Sequence, residues 1–197
     1  MDTRYLHAMS PQRVFIDGHV GTTGLRIRDW LTGRKDLELL TPSEQARKDP
    51  VARREMIQSS DIAVLCLPDE AAIEASKWAE DGPVRVLDAS TAHRVAKDWT
   101  YGLPELTPEQ RDSIRASKRV TNPGCYPSAF LLCLRPLLDA GLLSAETPIS
   151  LHALSGYTGG GRPLIEKWEA AQNGLASLPF EAPYALETVH KHVPEMH

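Results

Sequence analysis

The chain has 197 residues, of which 42% are hydrophobic and 24% are charged, with a formal net charge of −4 at pH 7. This length supplies one good core and part of a second, and the weak negative charge argues against a nucleic-acid partner. No apolar run is long enough to span a bilayer, so we expect no membrane partner. The N-terminus lacks a secretory signal and the three cysteines form no spaced framework, which predicts a cytoplasmic protein with reduced thiols.

The first half of the chain alternates between predicted strands and helices. Strand-like apolar runs lie at 13–17, 36–40, 61–68 and 84–90, and helical spacing follows the first run and recurs at about 49–59 and 70–80. Strands that are apolar throughout and separated by helices predict a mostly parallel, Rossmann-type α/β sheet covered on both faces. The character changes after about residue 140, where the run TPISLHALSG (147–156), three consecutive glycines and scattered prolines predict an α+β unit.

Three glycines, Gly18, Gly21 and Gly24, occupy the turn between the first strand and the first helix. Glycines there permit positive φ and let a pyrophosphate approach the helix N-terminus, whose dipole favours negative charge. Because the spacing is GxxGxxG and not GxGxxG, a glycine turn without a ligand is the alternative. The predicted cofactor contacts from this turn and from later strand ends are Gly18, Gly21, Thr22, Thr23, Gly24, Pro68 and Ser90.

The end of the second strand predicts which dinucleotide binds. Thr41 and Ser43 occupy the position where an acidic residue would accept from the ribose 2′-OH of NAD, and Arg47 and Lys48 follow closely. Glu38 has about the right sequence distance but lies inside the strand. Hydroxyls and cations suit a 2′-phosphate, so we predict NADP(H), with Ser43 as a contact; the alternative is a solvated helix face.

Cys125 follows the turn residues Asn122-Pro123-Gly124 and precedes a run with helical apolar spacing. At a helix N-terminus the dipole and free N–H groups stabilise a thiolate, so Cys125 is predicted to be a nucleophile with a lowered pKa. Cys66 in an apolar strand and Cys133 in the middle of a helix are instead predicted to be buried and inert.

The stretch HKHVPEMH (190–197) carries the best candidates for a proton-transfer partner. In an extended segment His190 and His192 point to the same side. No second pair of ligands accompanies them, so we predict no metal site and a general acid/base near Cys125. His93 and His152, the latter in a predicted strand, are interpreted as making ordinary hydrogen bonds.

Seven motifs in order along the chain resemble the type 2 branch of the N-acetyl-gamma-glutamyl-phosphate reductases: FIDGHVGTTGLRIRDWL, DIAVLCLPD, DASTAHRV, YGLPEL, TNPGCYPSAF, SGYTGGGR and HKHVPEM. The resemblance implies a dinucleotide-binding domain over 1–124 and, from 125 to 197, the start of an α+β substrate domain related to that of semialdehyde and glyceraldehyde-3-phosphate dehydrogenases. It makes Cys125 the catalytic cysteine, with Ser128 where many members have threonine. His192 is the preferred acid/base and His190 the runner-up.

The implied reaction is the NADPH-dependent reduction of N-acetyl-gamma-glutamyl phosphate to N-acetylglutamate 5-semialdehyde and phosphate, through a Cys125 thioester, in arginine biosynthesis. Covalent capture splits one difficult reduction into two easier steps. Hydroxyls, backbone N–H groups and guanidinium groups suit the anionic acyl phosphate, although either arginine could instead form a structural ion pair. The predicted substrate contacts are Arg94, Asn122, Ser155, Gly156 and Arg162.

Two other functions use the same residues. An enzyme resembling aspartate-semialdehyde dehydrogenase would share the thioester chemistry, and a non-catalytic NADP-binding chain would keep only the first domain. The resemblance also implies that further strands follow the HKHVPEM motif, so we expect an incomplete substrate domain and little reductase activity from the 197-residue chain. We further expect a homo-oligomer.

Overall fold

The structure is a computed structural model that describes residues 10–170 and 190–197. Its internal contacts divide the chain into two units, each with a different kind of secondary structure. The first comprises Met1–Gly102 with Ser113–Asn122, and the second comprises Leu103–Asp112 with Pro123–His197.

The first unit is built on a six-stranded sheet in which every strand pair is parallel. The strands are β1 (Gln12–Asp17), β2 (Leu37–Leu40), β3 (Ile62–Leu65), β4 (Arg85–Asp88), β5 (Thr100–Tyr101) and β6 (Arg119–Thr121). Their order in the sheet is β2-β1-β3-β4-β6-β5. The predicted parallel Rossmann-type sheet is therefore confirmed, although β3 ends three residues earlier than the apolar run 61–68 suggests.

Helices connect the strands and bury both faces of the sheet. They are α1 (Thr22–Leu31), α2 (Pro50–Gln58), α3 (Asp69–Lys77) and α4 (Gln110–Ala116). Phe15 packs with Ile57 of α2 on one face, whereas its neighbour Ile16 packs with Ile27 of α1 on the other. Successive strand residues point to opposite faces, so a strand buried on both sides must be apolar throughout. This is why the strands appear in the sequence as unbroken apolar runs.

The order of the strands fixes where a ligand would bind. The chain passes from β1 to β2 on one side and then returns past β1 to form β3 on the other side. In open parallel sheets the crevice at such a reversal, beyond the carboxyl ends of the strands, is the usual ligand position. Asp17 ends β1 and pairs in register with Leu65, which ends β3, so the loops after these two residues form that crevice.

The second unit is helical in its described residues, with α5 (Cys125–Asp139), α6 (Arg162–Glu169) and 3₁₀ turns at Tyr157–Gly160 and Val193–Met196. No strand forms in residues 147–156, so the predicted strand around His152 is wrong. Cys133 is exposed on α5, which corrects its predicted burial. None of the described helices combines the length and apolar character that crossing a membrane requires.

Candidate functional site

The turn after β1 is shaped by glycines that the surrounding backbone requires. Gly18 has φ +87°, and a Cβ placed on it would lie 2.2 Å from the carbonyl oxygen of Cys66. A Cβ on Gly24 would lie 2.3 Å from the carbonyl oxygen of Gly18. Gly21 has an extended backbone as the N-cap of α1, and its N–H donates to the Gly18 carbonyl at 2.9 Å. Close packing of the turn against neighbouring carbonyl groups therefore explains why positions 18 and 24 are occupied by glycine.

A cleft of about 250 Å³ opens at the carboxyl end of β1. We call it the dinucleotide cleft, and its lining residues are Asp17, Gly18, His19, Val20, Arg47, Lys48, Arg53 and Leu67. Gly18 was predicted to contact a cofactor, and Arg47 and Lys48 were predicted to suit a 2′-phosphate. Arg47 also pairs with the exposed Glu44 at 2.7 Å. Three cations along one cleft match the chemistry of an anionic ligand.

The third cation, Arg53, was not identified from the sequence. Its Nε lies 3.1 Å from both carboxylate oxygens of Asp17, and its Nη2 lies 2.9 Å from Oδ2. The side chains are 11% and 4% exposed, respectively, and the guanidinium stacks over the Trp78 ring at 5.1 Å. The one sequence signal was an acidic residue closing an apolar strand, which predicts a buried carboxylate but does not identify its partner.

Among the other predicted cofactor residues, Ser43 and Pro68 have local structural roles. Ser43 is exposed, and its hydroxyl accepts from the Ala46 N–H at 3.2 Å, which closes a short turn. Pro68 is the N-cap residue of α3. Thr23 is exposed in the first turn of α1, whereas the side chain of Thr22 lies outside the described part of the structure. Their contacts with a cofactor stay predictions.

Asp88, which ends β4, organises the loop that follows it. The carboxylate is fully buried and accepts from the Ser90 N–H at 2.9 Å and the Ser90 hydroxyl at 2.7 Å. Nδ1 of His93 lies 2.6 Å from the same carboxylate. The predicted hydrogen-bonding role of His93 is confirmed, whereas the central role of Asp88 was missed. Ser90 is therefore held by Asp88 in this structure.

Cys66 lies directly after β3, beside the glycine turn. Burial raises the pKa of its thiol to about 12, and the carboxylates of Asp88 and Asp17 add to this shift. A thiol with this pKa stays protonated at neutral pH, and only the thiolate is an effective nucleophile. The prediction that Cys66 is unreactive is supported, although the residue is only partly buried and lies just after the strand, which corrects its predicted position in the core.

Cys125 is the first residue of α5 and is exposed. The preceding Gly124, its N-cap, is buried, and its N–H donates to Oε2 of Glu195 at 2.9 Å. A Cβ on Gly124 would lie 2.8 Å from Nε2 of His192. The Ser128 hydroxyl donates to the Gly124 carbonyl at 2.8 Å. Gly124 is therefore required by close packing of an imidazole and a carboxylate beside Cys125.

The two histidines near Cys125 adopt a different backbone from the one predicted. Residues 190–192 form a turn that leads into the 3₁₀ turn Val193–Met196, so the predicted extended segment is wrong. The rings of His190 and His192 nevertheless lie 4.7 Å apart, and both pack edge-on against Tyr126. His192 is buried with 6% exposure. We call this group the Cys125 cluster: Gly124, Cys125, Tyr126, His190, His192 and Glu195.

Glu195 was also missed by the sequence analysis. Its carboxylate is 8% exposed and reaches a backbone N–H that lies 71 positions earlier in the chain. A glutamate three residues after His192 carries no sequence signal for that partner. In the structure it joins the 3₁₀ turn to the start of α5, and so helps to place both histidines.

The predicted substrate residues differ in their exposure and in the contacts that they make within the chain. Arg162 is exposed on α6 and pairs with Glu166 at 2.7 Å, which is the structural ion pair considered above. Ser155 and Gly156 are exposed before the 3₁₀ turn Tyr157–Gly160. Arg94 is partly buried, with Nη2 3.4 Å from the Ala89 carbonyl. The Asn122 N–H donates to the Asp88 carbonyl at 2.7 Å.

No group of three side chains suited to a metal ion occurs within residues 10–170 and 190–197. The polar groups of the Cys125 cluster instead match covalent chemistry. A cysteine at a helix N-terminus, with an imidazole packed against the residue before it, supplies the parts needed for a nucleophile and a proton donor.

Both halves of the chain match known domains. Residues 31–114 match the NAD binding domain of semialdehyde dehydrogenases, and residues 125–197 match their dimerisation domain. The chain aligns over 86% of its length with the structure of aspartate semialdehyde dehydrogenase II from Vibrio cholerae, with a TM-score of 0.63 and 19% identity. The aspartate semialdehyde dehydrogenase of Francisella tularensis gives a TM-score of 0.61 over 89% of the chain, also at 19% identity. These structures support the fold.

Sequence relatives are more similar. The N-acetyl-gamma-glutamyl-phosphate reductase 2 of Pseudomonas putida is 55% identical over 93% of this chain and 58% of its own length. The N-acetyl-gamma-glutamyl-phosphate reductases of Burkholderia lata and Trichormus variabilis are 50% and 48% identical over 95% and 96% of the chain, and 59% and 60% of their own lengths. The resemblance inferred from the motifs is confirmed. The chain spans about 60% of the length of these relatives.

Proposed function

The chain belongs to the semialdehyde dehydrogenase family, with N-acetyl-gamma-glutamyl-phosphate reductases as its relatives, and we propose that it serves the NADPH-dependent reduction of N-acetyl-gamma-glutamyl phosphate. The products are N-acetylglutamate 5-semialdehyde and phosphate, and the place of this reaction is arginine biosynthesis. The observation that carries the proposal is the Cys125 cluster, in which Glu195 and His192 pack against the residue before the cysteine.

The chain's residues divide the chemistry between a nucleophile and a proton carrier. The Cys125 thiolate attacks the carbonyl carbon of the acyl phosphate, so that a C–S bond forms, the C–O bond to phosphate breaks and phosphate leaves. NADPH, when bound, supplies the hydride that reduces the thioester. His192 then protonates the oxygen of the resulting thiohemiacetal and takes that proton back as the C–S bond breaks and the aldehyde leaves.

The structure favours His192 over His190 for the proton transfer. Nε2 of His192 lies on the side of the ring that packs against Gly124, directly before Cys125 in the chain. Nδ1 of His190 lies 3.2 Å from the His192 N–H, a contact that helps to hold the turn. We therefore assign the acid/base role to His192 and a supporting role to His190.

The dinucleotide cleft fits NADP(H). Arg47, Lys48 and Arg53 bring positive charge to it, and the Asp17 carboxylate among the lining residues is paired with Arg53. Gly18 and the start of α1 would receive the pyrophosphate, and Arg47 and Lys48 would hold the 2′-phosphate. The predicted contacts from Gly21, Thr22, Thr23, Gly24, Ser43, Pro68 and Ser90 belong to this proposal.

We assign the acyl phosphate to Arg94, Asn122, Ser155, Gly156 and Arg162. Arg94 is the better candidate for binding the phosphate because it is partly buried, whereas Arg162 is exposed and paired within its own helix. A guanidinium shielded from water binds phosphate more strongly than one in open solvent.

The match of residues 125–197 to a dimerisation domain supports a homo-oligomer. The three cysteines form no disulfide among the described residues, as is usual for proteins of the cytoplasm.

The decisive assay runs the reaction in reverse. The purified chain is incubated with NADP, phosphate and N-acetylglutamate 5-semialdehyde, and absorbance reports NADPH while intact mass reports acylation of the protein. We expect Cys125 acylation and a phosphate-dependent reduction of NADP with this semialdehyde, at the low rate expected above for the 197-residue chain, and neither signal with aspartate semialdehyde. A preference for aspartate semialdehyde, or the absence of both signals, would refute the proposed function.

A further inference from the structure

The Asp17 carboxylate lies where an anionic ligand must approach. It ends β1, directly before the positive-φ residue Gly18 and the turn into α1, and it is only 3% exposed. A buried carboxylate keeps its charge only when it is paired, and its field is weakly screened there. At this position an unpaired carboxylate would repel the phosphates of a dinucleotide.

Arg53 removes this repulsion. Three of its N–H···O contacts reach the two Asp17 oxygens at 2.9–3.1 Å, and the guanidinium also stacks over the Trp78 ring. Arg53 also lines the dinucleotide cleft.

We propose that Arg53 is a positioning residue for the cofactor, which neutralises Asp17 so that the turn after β1 accepts a pyrophosphate. The inference rests on the proposed function, since it takes NADP(H) as the ligand of the cleft. It assigns to Arg53 a role distinct from that of Arg47 and Lys48. Those two residues would contact the ligand directly, whereas Arg53 acts through the charge of Asp17.

The test is a charge-compensation cycle on the full chain, with NADPH affinity measured from nicotinamide fluorescence. Arg53→Met leaves Asp17 unpaired, and we expect the NADPH dissociation constant to rise about 30-fold or more. Asp17→Asn alone should change it by less than about threefold. The double variant Asp17→Asn with Arg53→Met should recover at least about tenfold of the loss, because no unpaired charge remains.

Two features of the outcome separate this role from simple structural support. The loss in Arg53→Met should shrink as salt is raised, since it is electrostatic. The matched control is Arg119→Met, because Arg119 also pairs with an aspartate, Asp98 at 3.0 Å, and stacks over a tryptophan, Trp99, but does not line the cleft. Arg119→Met should leave NADPH affinity unchanged even where it lowers the urea midpoint.

Each contrary result is informative. If the double variant binds NADPH no better than Arg53→Met, then Arg53 contacts the ligand itself and the inference is overturned. Equal affinity in Arg53→Met and the native chain overturns it as well. If the native chain does not bind NADPH, the cofactor assignment of the proposed function fails with it.

A conservative variant covers the case in which Arg53→Met does not fold. Arg53→Lys keeps the positive charge but cannot make the two-pronged contact with Asp17. We expect its NADPH affinity to fall between those of the native chain and the unpaired state, and Asp17→Asn to improve it. Native affinity in Arg53→Lys, with no response to Asp17→Asn, would overturn the inference.

Discussion

The dinucleotide cleft and the Cys125 cluster each contain a buried carboxylate, but the partners of the two carboxylates differ. Asp17 is paired with the guanidinium of Arg53. Glu195 accepts from a backbone N–H, and it packs with the imidazole of His192 against Gly124, the residue before Cys125. The first region has fixed charges suited to holding an anion, and the second has groups suited to moving a proton.

The largest expected effect comes from removing the nucleophile of the Cys125 cluster. Cys125→Ser should lower the rate of NADP reduction at least about a thousand-fold and remove the acylated species, because the hydroxyl is a far weaker nucleophile than a thiolate. NADPH affinity should stay within a few-fold of the native value, since the fixed charges of the cleft are untouched. Steady-state rates, intact mass and fluorescence titration measure the three quantities.

The matched control for that variant is Cys133→Ser, which changes an exposed cysteine on the same helix. It should keep both turnover and acylation. If Cys125→Ser remains fully active, the thioester mechanism is wrong. If it loses NADPH binding as severely as turnover, the division of roles between the two regions is wrong.

The next effect concerns the carboxylate of the Cys125 cluster. Glu195→Ala removes the acceptor of the Gly124 N–H and loosens the 3₁₀ turn that follows His192. A displacement of about 1 Å in a catalytic group can cost on the order of 100-fold, so we expect a loss of that size in turnover. NADPH affinity should not change.

Glu195→Gln separates placement from charge, because its amide oxygen can still accept from the Gly124 N–H. We expect it to keep most of the activity. Glu146→Ala, which removes an exposed glutamate of the same unit, is the control and should have no effect. Turnover in Glu195→Ala equal to that of the native chain would show that the histidines are held in some other way.

A smaller effect is expected at the cleft. Lys48→Gln should weaken NADPH binding about tenfold and leave NADH binding nearly unchanged, because one charge-assisted contact to the 2′-phosphate is lost. The native preference for NADPH should itself shrink as salt rises. Lys118→Gln, on a lysine outside the cleft lining, should alter neither. Equal use of NADPH and NADH by the native chain at low salt would contradict the 2′-phosphate assignment.

The sequence predicted the sheet well because strands buried on both faces leave unbroken apolar runs, which are local signals. The sequence also predicted that glycine at position 18 permits a positive φ, which the structure shows. It could not predict the close contact of Gly18 with the carbonyl of Cys66, which lies 48 residues further along the chain. The pairing of Asp17 with Arg53 links residues 36 positions apart. Periodicity in one segment carries no information about such pairs, and so the partners were missed.

Two errors in the second unit have local causes. The alternating letters H-K-H suggest an extended strand, but Pro194 falls in the first turn of the 3₁₀ turn Val193–Met196 and was the overlooked signal. Helix α5 is apolar on most sides in its sequence, CYPSAFLLCLRPLLD. Without a polar face, the spacing cannot tell which side is buried, and Cys133 was assigned to the wrong one.

The smallest effect contrasts two cysteines, one beside the cleft and one in the Cys125 cluster. Cys66 has a pKa of about 12 in the folded protein against an ordinary value of 9.0. The folded state therefore keeps the Cys66 proton between pH 9 and 12 while the unfolded state loses it. This contribution to stability is complete below pH 9 and disappears as pH rises toward 12, by up to about 1.4 kcal/mol per pH unit.

Lysines and tyrosines also titrate in this range, so the informative quantity is the difference from a variant without the thiol. Cys66→Ala should cost about 1 kcal/mol at neutral pH through lost packing, and its free energy of unfolding should fall less steeply between pH 9 and 10.5. Cys133→Ala, which alters an exposed thiol, should follow the native slope. Urea unfolding at several pH values measures all three slopes. Parallel curves for the native chain and Cys66→Ala would mean that the thiol beside the cleft ionises as readily as an exposed one. In that case the proposed difference between Cys66, which stays protonated, and Cys125, which the proposed mechanism uses as a thiolate, would be wrong.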